Sequence, residues 1–253
     1  MLRRIDRALP HGWRDLGLQL AVWFGFVLAY QVARGVANRG GVWEAIVNAR
    51  AVMDAERALH LFIERDVQSV VLHVGGPLLA AINWTYWLAQ FVVVGLALLW
   101  IYLFRNGSFV RVRNWILTTN VLALVAYVLI PTAPPRLFVD EGFVDTLAGW
   151  GGVNHGSALV ELAANPYAAM PSLHAANALI VGFALAALVR NRWLKLVWTL
   201  WPSWVWFVVV ASGNHFWLDV AAGVVVALLA RTALALVESG RAAFAPAVSS
   251  ARR

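Results

Sequence analysis

The sequence predicts an all-α polytopic membrane bundle of six transmembrane helices, with both termini cytoplasmic and an amphipathic helix along the outer interface. Three observations predict it. Of 253 residues, 61% are hydrophobic and only 13% charged, about half the charged share of a soluble domain, and the mean hydropathy is +0.70. Six stretches reach or approach the roughly 20 apolar residues that a crossing helix needs. Laid out in order, those stretches also sort the charges by side. This composition excludes a disordered chain, a disulfide-stapled secreted module and an ordinary cytosolic enzyme. With no cysteine in the chain, thiolate nucleophiles and cysteine-ligated metals are excluded too.

Residues 1–15 form a cytoplasmic segment with Arg3, Arg4, Arg7 and Arg14. They lack a compact apolar run with a small-residue cleavage site, so no secretory signal is read there. The six spans run over about 16–37, 81–104, 115–130, 173–189, 196–211 and 216–237. The third to fifth are short, and adjoining residues must complete them. Residues 43–66 (WEAIVNARAVMDAERALHLFIERD) alternate charged and apolar positions at helical spacing. A helix covering the bundle at the outer interface fits that pattern, and a plain connecting helix fits it as well. Residues 67–80 are apolar but broken by Gly75, Gly76 and Pro77, and read as a short half-inserted or interfacial segment, with a seventh span as the alternative. A single six-span domain thus covers 16–237, and the small-residue tail 238–253 is expected to be disordered.

On the side of the termini lie 14 basic and 3 acidic residues, a balance of +11. The other side has 6 basic and 10 acidic residues, a balance of −4. The positive-inside rule makes the first side cytoplasmic and turns the loop at 131–172 outward. The formal charge of +7 is therefore a topology signal, and no nucleic-acid partner is expected.

Polar residues at the ends of membrane spans are costly and mark candidate sites. Three such places fall on the outward side. In PTAPPRLF (131–138) the prolines break any helix, and Arg136 is the only basic residue from Pro131 to Ser172. Its planar fork suits phosphate oxygens, although pairing with Asp140, Glu141 or Asp145 would explain it equally. In NPYAAMPSLHAAN (165–177) Pro171 and Ser172 open the fourth span as a first-turn proline and a cap do. The helix N-terminus is an anion site, with His174 in its first turn. In ASGNHFWLDVAAG (211–223) His215 and Asp219 are spaced i, i+4 on the sixth helix. The carboxylate can fix the imidazole tautomer and free its other nitrogen as nucleophile or base, or the two can form a structural pair. A bundle that gathers these places has cations and N–H donors for a phosphate, a nucleophile and a proton donor.

APPR with Arg136, MPSLHAA with Ser172 and His174, and GNHFWLD with His215 and Asp219 together resemble the type 2 phosphatidic acid phosphatase superfamily. The likeness is closest to its inositol phosphorylceramide synthase-like (inositolphosphotransferase) branch, and covers about residues 43–230. It implies a lipid phosphatase or phosphotransferase without metal or other cofactor, acting on a phospholipid or isoprenyl phosphate at the outer face of the plasma membrane. His215 would be the nucleophile that forms a phosphohistidine, Asp219 its orienting carboxylate and His174 the acid and base. Arg136, with the hydroxyl and backbone N–H of Ser172, would cradle the phosphate. The chain departs from the superfamily's phosphatases at Leu129, where they carry Lys, at Leu173, where they carry Gly, and at Val209, where they carry a second Arg. Asn214 or His155 could replace the missing phosphate ligands. Transfer, such as of inositol phosphate between lipids, and plain hydrolysis share their first half-reaction.

Two other classes remain open at this stage. A zinc hydrolase or intramembrane serine protease could use two His, Asp and Ser, but there is no HExxH and no GxSxG around Ser172. A transporter or scaffold would line a path with polar residues, whereas here they gather at one face.

Overall fold

The structure, a computed structural model, describes residues 9–37, 41–148 and 167–244. Among them the chain is helical, with a lone parallel bridge between Thr132 and Ala168 and no strand. Helices α1 (Gly12–Ala37), α4 (Gly76–Phe104), α5 (Asn106–Leu129), α7 (Arg192–Ala211) and α8 (Trp217–Phe244) are long and apolar enough to cross a membrane. The helix at the fourth predicted span, α6 (Leu173–Leu188), is apolar but has 16 residues, about 24 Å at 1.5 Å per residue.

The boundaries differ from the sequence reading where turn chemistry decides them. Residues 43–66 do not form one helix. They give α2 (Val42–Ala58), then a turn with His60 at φ 56, then the start of α3 (Glu64–Val74). The 67–80 stretch is divided as well. Gly75 and Gly76, at φ 59 and 48, take a backbone that costs other residues. They end α3 and let α4 begin with Pro77 in its first turn. Span two therefore starts at Gly76, and a π-helical turn at Ala89–Val93 interrupts it. The third and fifth spans gain their missing length at their N-terminal ends, at Asn106 and Arg192. Asn191 caps α7 by accepting from the N–H of Trp193 and Leu194. The last helix continues to Phe244, past the expected end at 237.

The centre of the bundle is α6, packed against α5, α7 and α8. Gly182 allows its closest approach: a Cβ there would meet the Trp198 carbonyl at 2.7 Å and Pro202 Cδ at 2.8 Å. Pro202, inside α7, leaves that Trp198 carbonyl without its usual helical donor. On the outside, α1 exposes Leu18, Phe24 and Leu28, as a lipid-facing helix does without loss.

One end of the bundle is closed by α2, α3 and the proline-rich segment. Thr132 donates to Tyr167 O, and Ala169 donates back to Thr132 O. Ala133 donates to Ala45 O, and Asn48 Nδ2 to Pro131 O. Arg50 pairs with Asp140 at 2.8 Å and Arg57 with Glu141 at 2.6 Å. Glu141 raises the Arg57 pKa, and Arg50 holds Asp140 below the usual carboxylate range. Ala45, Ala49, Met53, Phe138, Phe143 and Phe216 fill the space beneath this cover.

Candidate active site

The covered end of the bundle collects all three polar places read from the sequence. Helix α7 ends in a Schellman turn, in which Gly213 at φ 72 donates to Val210 O and Asn214 donates to Val209 O. The turn reverses the chain so that α8 can return along α6. His215 lies in this connection and not on the helix, because α8 starts two residues later, at Trp217. Its Nδ1 is 3.4 Å from Asp219 Oδ2, and both residues are buried. That contact is long for a hydrogen bond.

Asp219 has a second job. Its Oδ2 accepts from the Phe216 N–H at 2.8 Å, the return half of a capping box. The next two N–H groups are taken by carboxylates far away in sequence. Trp217 donates to Glu64 Oε1 at 3.0 Å and Leu218 to Glu56 Oε1 at 2.7 Å. Three carboxyl groups thus satisfy three consecutive orphan donors of α8. Glu56 and Glu64 are fully buried. The sequence reading missed them because they stand in a charge-rich segment that looks solvated.

Ser172 caps α6 by accepting from Ala175 N at 3.3 Å. Its own N–H donates to Asp219 O at 2.9 Å, which corrects the expectation that this N–H would be open to a phosphate. The joint is tight, since a Cβ on Gly223 would lie 2.2 Å from Ser172 O. His174, in the first turn of α6, stacks on Tyr86 with ring centroids 4.4 Å apart. Its Nε2 is 3.2 Å from Tyr86 O. The ring centroids of His174 and His215 are 6.0 Å apart.

Arg136 is tied to the same turn. Its N–H donates to Gly213 O at 2.8 Å, and its Nη1 donates to Asn214 Oδ1. Nε lies 3.5 Å from Asp145 Oδ2, so one of the three acidic partners allowed by the sequence is realised. Asn214 spends its amide N–H groups on Ser212 O and Oγ, which makes it a support for Arg136. Gln68 fixes the far side of the turn, where Nε2 donates to Val144 O and Oε1 accepts from Val144 N, both at 2.9 Å. Neither of the two positions where the superfamily's phosphatases carry a cation is replaced by one here. Leu129 is 69% exposed on the outside of α5, and Val209 is buried within α7. His155 lies outside the described residues.

Residues 50–233 match the PAP2 superfamily. The chain is also similar to a phosphoinositol dihydroceramide synthase of Bacteroides thetaiotaomicron, with 28% identity over 163 residues, which are 59% of this chain and 52% of that protein. It spans about half the length of that curated relative. No solved structure matches the chain. The matched region holds Arg136, Ser172, His174, Asn214, His215 and Asp219, the residues that the fold gathers at one end of the bundle. The chain belongs to the PAP2 superfamily, and within it resembles the inositolphosphotransferase branch.

Proposed function

We propose that the chain is a metal-independent lipid phosphotransferase or phosphatase that works through a phosphohistidine on His215, at the outer face of the plasma membrane. The observation that carries this reading is the pairing of two histidines across the covered end of the bundle. His215 Nδ1 is turned to Asp219, which leaves Nε2 as the nucleophile. His174 stands opposite, with ring centroids 6.0 Å apart, and is assigned the role of acid and base.

In the first half-reaction the Nε2 lone pair attacks phosphorus, the bond to the lipid oxygen breaks, and His174 gives that oxygen a proton. In the second, an acceptor hydroxyl passes its proton to His174 while its oxygen attacks phosphorus and frees His215. With an alcohol as acceptor the reaction is transfer, and with water it is hydrolysis. Arg136 and the Ser172 hydroxyl proton stabilise the charge that develops on the phosphoryl oxygens. The relative's name joins a phosphoinositol group to dihydroceramide, so inositol phosphate transfer between lipids is the first reaction to test. Plain hydrolysis of a lipid or isoprenyl phosphate is the alternative. The outward assignment rests on counting α6 as a sixth crossing beside the five longer helices and on reading the +11 face as cytoplasmic.

The test is headgroup release from phosphatidylinositol, phosphatidic acid and an isoprenyl phosphate by wild type and His215→Ala. The variant should lose turnover. Orthovanadate should inhibit the wild type, and EDTA should not. Wild-type turnover by His215→Ala would refute the nucleophile assignment.

A further inference from the structure

Glu56 and Glu64 have no part in the chemistry just described, yet they are among the most deeply buried ionisable groups of the chain, both with no exposed surface. Each gives one oxygen to the first turn of α8, Glu56 Oε1 to Leu218 N–H and Glu64 Oε1 to Trp217 N–H. Their second oxygens, Oε2 in both, are buried and accept from no N–H or O–H group. The two carboxyl groups hold the adjacent N–H groups of Trp217 and Leu218, which sets them side by side with their free oxygens in the same buried space. Two carboxylates have no proton donor between them, so a hydrogen bond joining them needs a proton on one of the two.

We propose that Glu56 and Glu64 share a single proton, and that this carboxyl–carboxylate pair positions the His215–Asp219 dyad by clamping the first turn of α8. The reading rests on the phosphohistidine proposal only for the word "dyad"; the shared proton is independent of it.

The charges around the pair favour this state. The groups facing it are Glu56 and Glu64 themselves and Asp219, with His215 beyond Asp219. Asp54 and Arg57 on α2, and Arg65 and Asp66 on α3, lie at the surface. Three ionised carboxylates together in a buried pocket would repel strongly. One negative charge on the pair is stabilised by the positive end of α8. Burial, and then the bond to Glu64, push the Glu56 carboxyl up to about 9, so at neutral pH the proton is retained. The bonds span 153 and 162 residues and join the α2–α3 cover to the element that carries both members of the dyad. Glu56 and Glu64 are thus positioning residues, because they touch the backbone that holds His215 and Asp219 and not the substrate.

Glu56→Gln keeps an oxygen for Leu218 N–H and offers Glu64 a permanent N–H donor, whereas Glu56→Leu offers neither. The full chain, purified in detergent, is compared in three measurements. The first is the infrared carbonyl band of a protonated carboxyl at pH 7, which needs no turnover. The band should be present in wild type, titrate away near pH 9 and be missing in Glu56→Gln. The second is kcat and KM for headgroup release from short-chain phosphatidylinositol. Glu56→Gln should stay within a few-fold of wild type. Glu56→Leu should lose about 100-fold in kcat, the scale of an ångström of misplacement, with KM little changed. The third is the pH profile, in which an alkaline fall of kcat near pH 9 should be present in wild type and absent in Glu56→Gln. No band at pH 7, or an unaltered alkaline limb in Glu56→Gln, overturns the proposal. So does a Glu56→Gln variant that remains folded but is as inactive as Glu56→Leu. Should Glu56→Leu fail to fold, the band and the Glu56→Gln profile still decide. Turnover retained by His215→Ala would refute the nucleophile without touching the band.

Discussion

Gly223 is the place where a single methyl group should separate the two halves of the proposed active site. It lies one turn after Asp219 on α8 and faces the cap of α6. A Cβ there would come within 2.2 Å of Ser172 O and 3.1 Å of Ser172 C. Cβ atoms essentially never approach other heavy atoms closer than 3.0 Å, so the helices must part by about 0.8 Å even to reach that limit. The obstacle is backbone and cannot swing aside. Overpacking of this kind costs about 1–3 kcal/mol, and the parting also stretches the Ser172 N–H···O bond to Asp219, now 2.9 Å. The greater effect is on geometry. His174 rides on α6 and Asp219 on α8, so the gap between acid and nucleophile widens by nearly the same amount. A displacement near 1 Å costs about 100-fold in rate. Gly223→Ala should therefore remain folded, with a modestly lower melting temperature, and lose about that factor in kcat at nearly constant KM. Gly240→Ala, where a Cβ meets nothing within 4 Å, is the control. The assay is headgroup release by purified protein, with thermal unfolding in the same detergent. Wild-type kcat in a folded Gly223→Ala variant would refute the claim that the α6–α8 joint sets the catalytic distance.

Arg136→Ala should lower kcat by about 10²–10³, the usual cost of removing one transition-state donor. Arg136→Lys should recover only part of this, because Lys cannot hold Asn214 and a phosphate oxygen in one planar fork. Gln68→Leu leaves both polar groups of Val144 unpaired and should cost about 1–3 kcal/mol of stability by thermal or denaturant unfolding. Asp140 is held below the usual carboxylate range by Arg50. Its contribution is therefore present above the unfolded pKa and lost as pH falls through the lowered folded value. The pair is exposed (49% and 61%) and its contribution small. Any gap in melting temperature between wild type and Asp140→Asn should exist at neutral pH and close below about pH 4.

The bundle was legible in the sequence because hydrocarbon length and charge side are one-dimensional properties. The site was legible for the opposite reason: few polar residues stand near the outer ends of apolar spans, so Arg136, Ser172, His174, His215 and Asp219 stood out. The turn chemistry was harder to read. His215 was expected on the sixth helix, yet Gly213 and the Schellman turn delay that helix until Trp217. The i, i+4 spacing still brings His215 to Asp219, now through a capping box. Glu56, Glu64 and Gln68 were illegible for a clearer reason. A polar residue in such a segment is ordinarily solvated; only the approach of α8, more than 150 residues later, gives Glu56 and Glu64 donors to bury against, and Gln68 is held by the backbone of Val144, 76 residues on. The spacing i, i+4 from Glu64 to Gln68, continuing to Val71, did mark one face, and that face is the buried one.

The missing cations bear on the choice of substrate. The superfamily's phosphatases surround phosphate with a Lys and two Arg, whereas this chain places Leu129 towards lipid and Val209 in the interior of α7. Arg136 is the only basic residue between Pro131 and Ser172, and Asp145 already draws on its charge at 3.5 Å. Behind the nucleophile stand Asp219, Glu56 and Glu64. A phosphomonoester brings close to two negative charges near neutral pH, as a phosphorylated side chain does, and the described residues of this site offer little to set against the second. A phosphodiester such as phosphatidylinositol brings one, which Arg136 can match in a single fork. The charge balance is the reason to test a diester donor against a monoester. Comparison of kcat/KM for phosphatidylinositol and phosphatidic acid of equal chain length tests this. The diester should be preferred, and introducing Lys by Val209→Lys should not be needed for its turnover. A clear preference for phosphatidic acid would show that the second charge is met by groups other than Arg136, and would return the chain to the phosphatases of its superfamily.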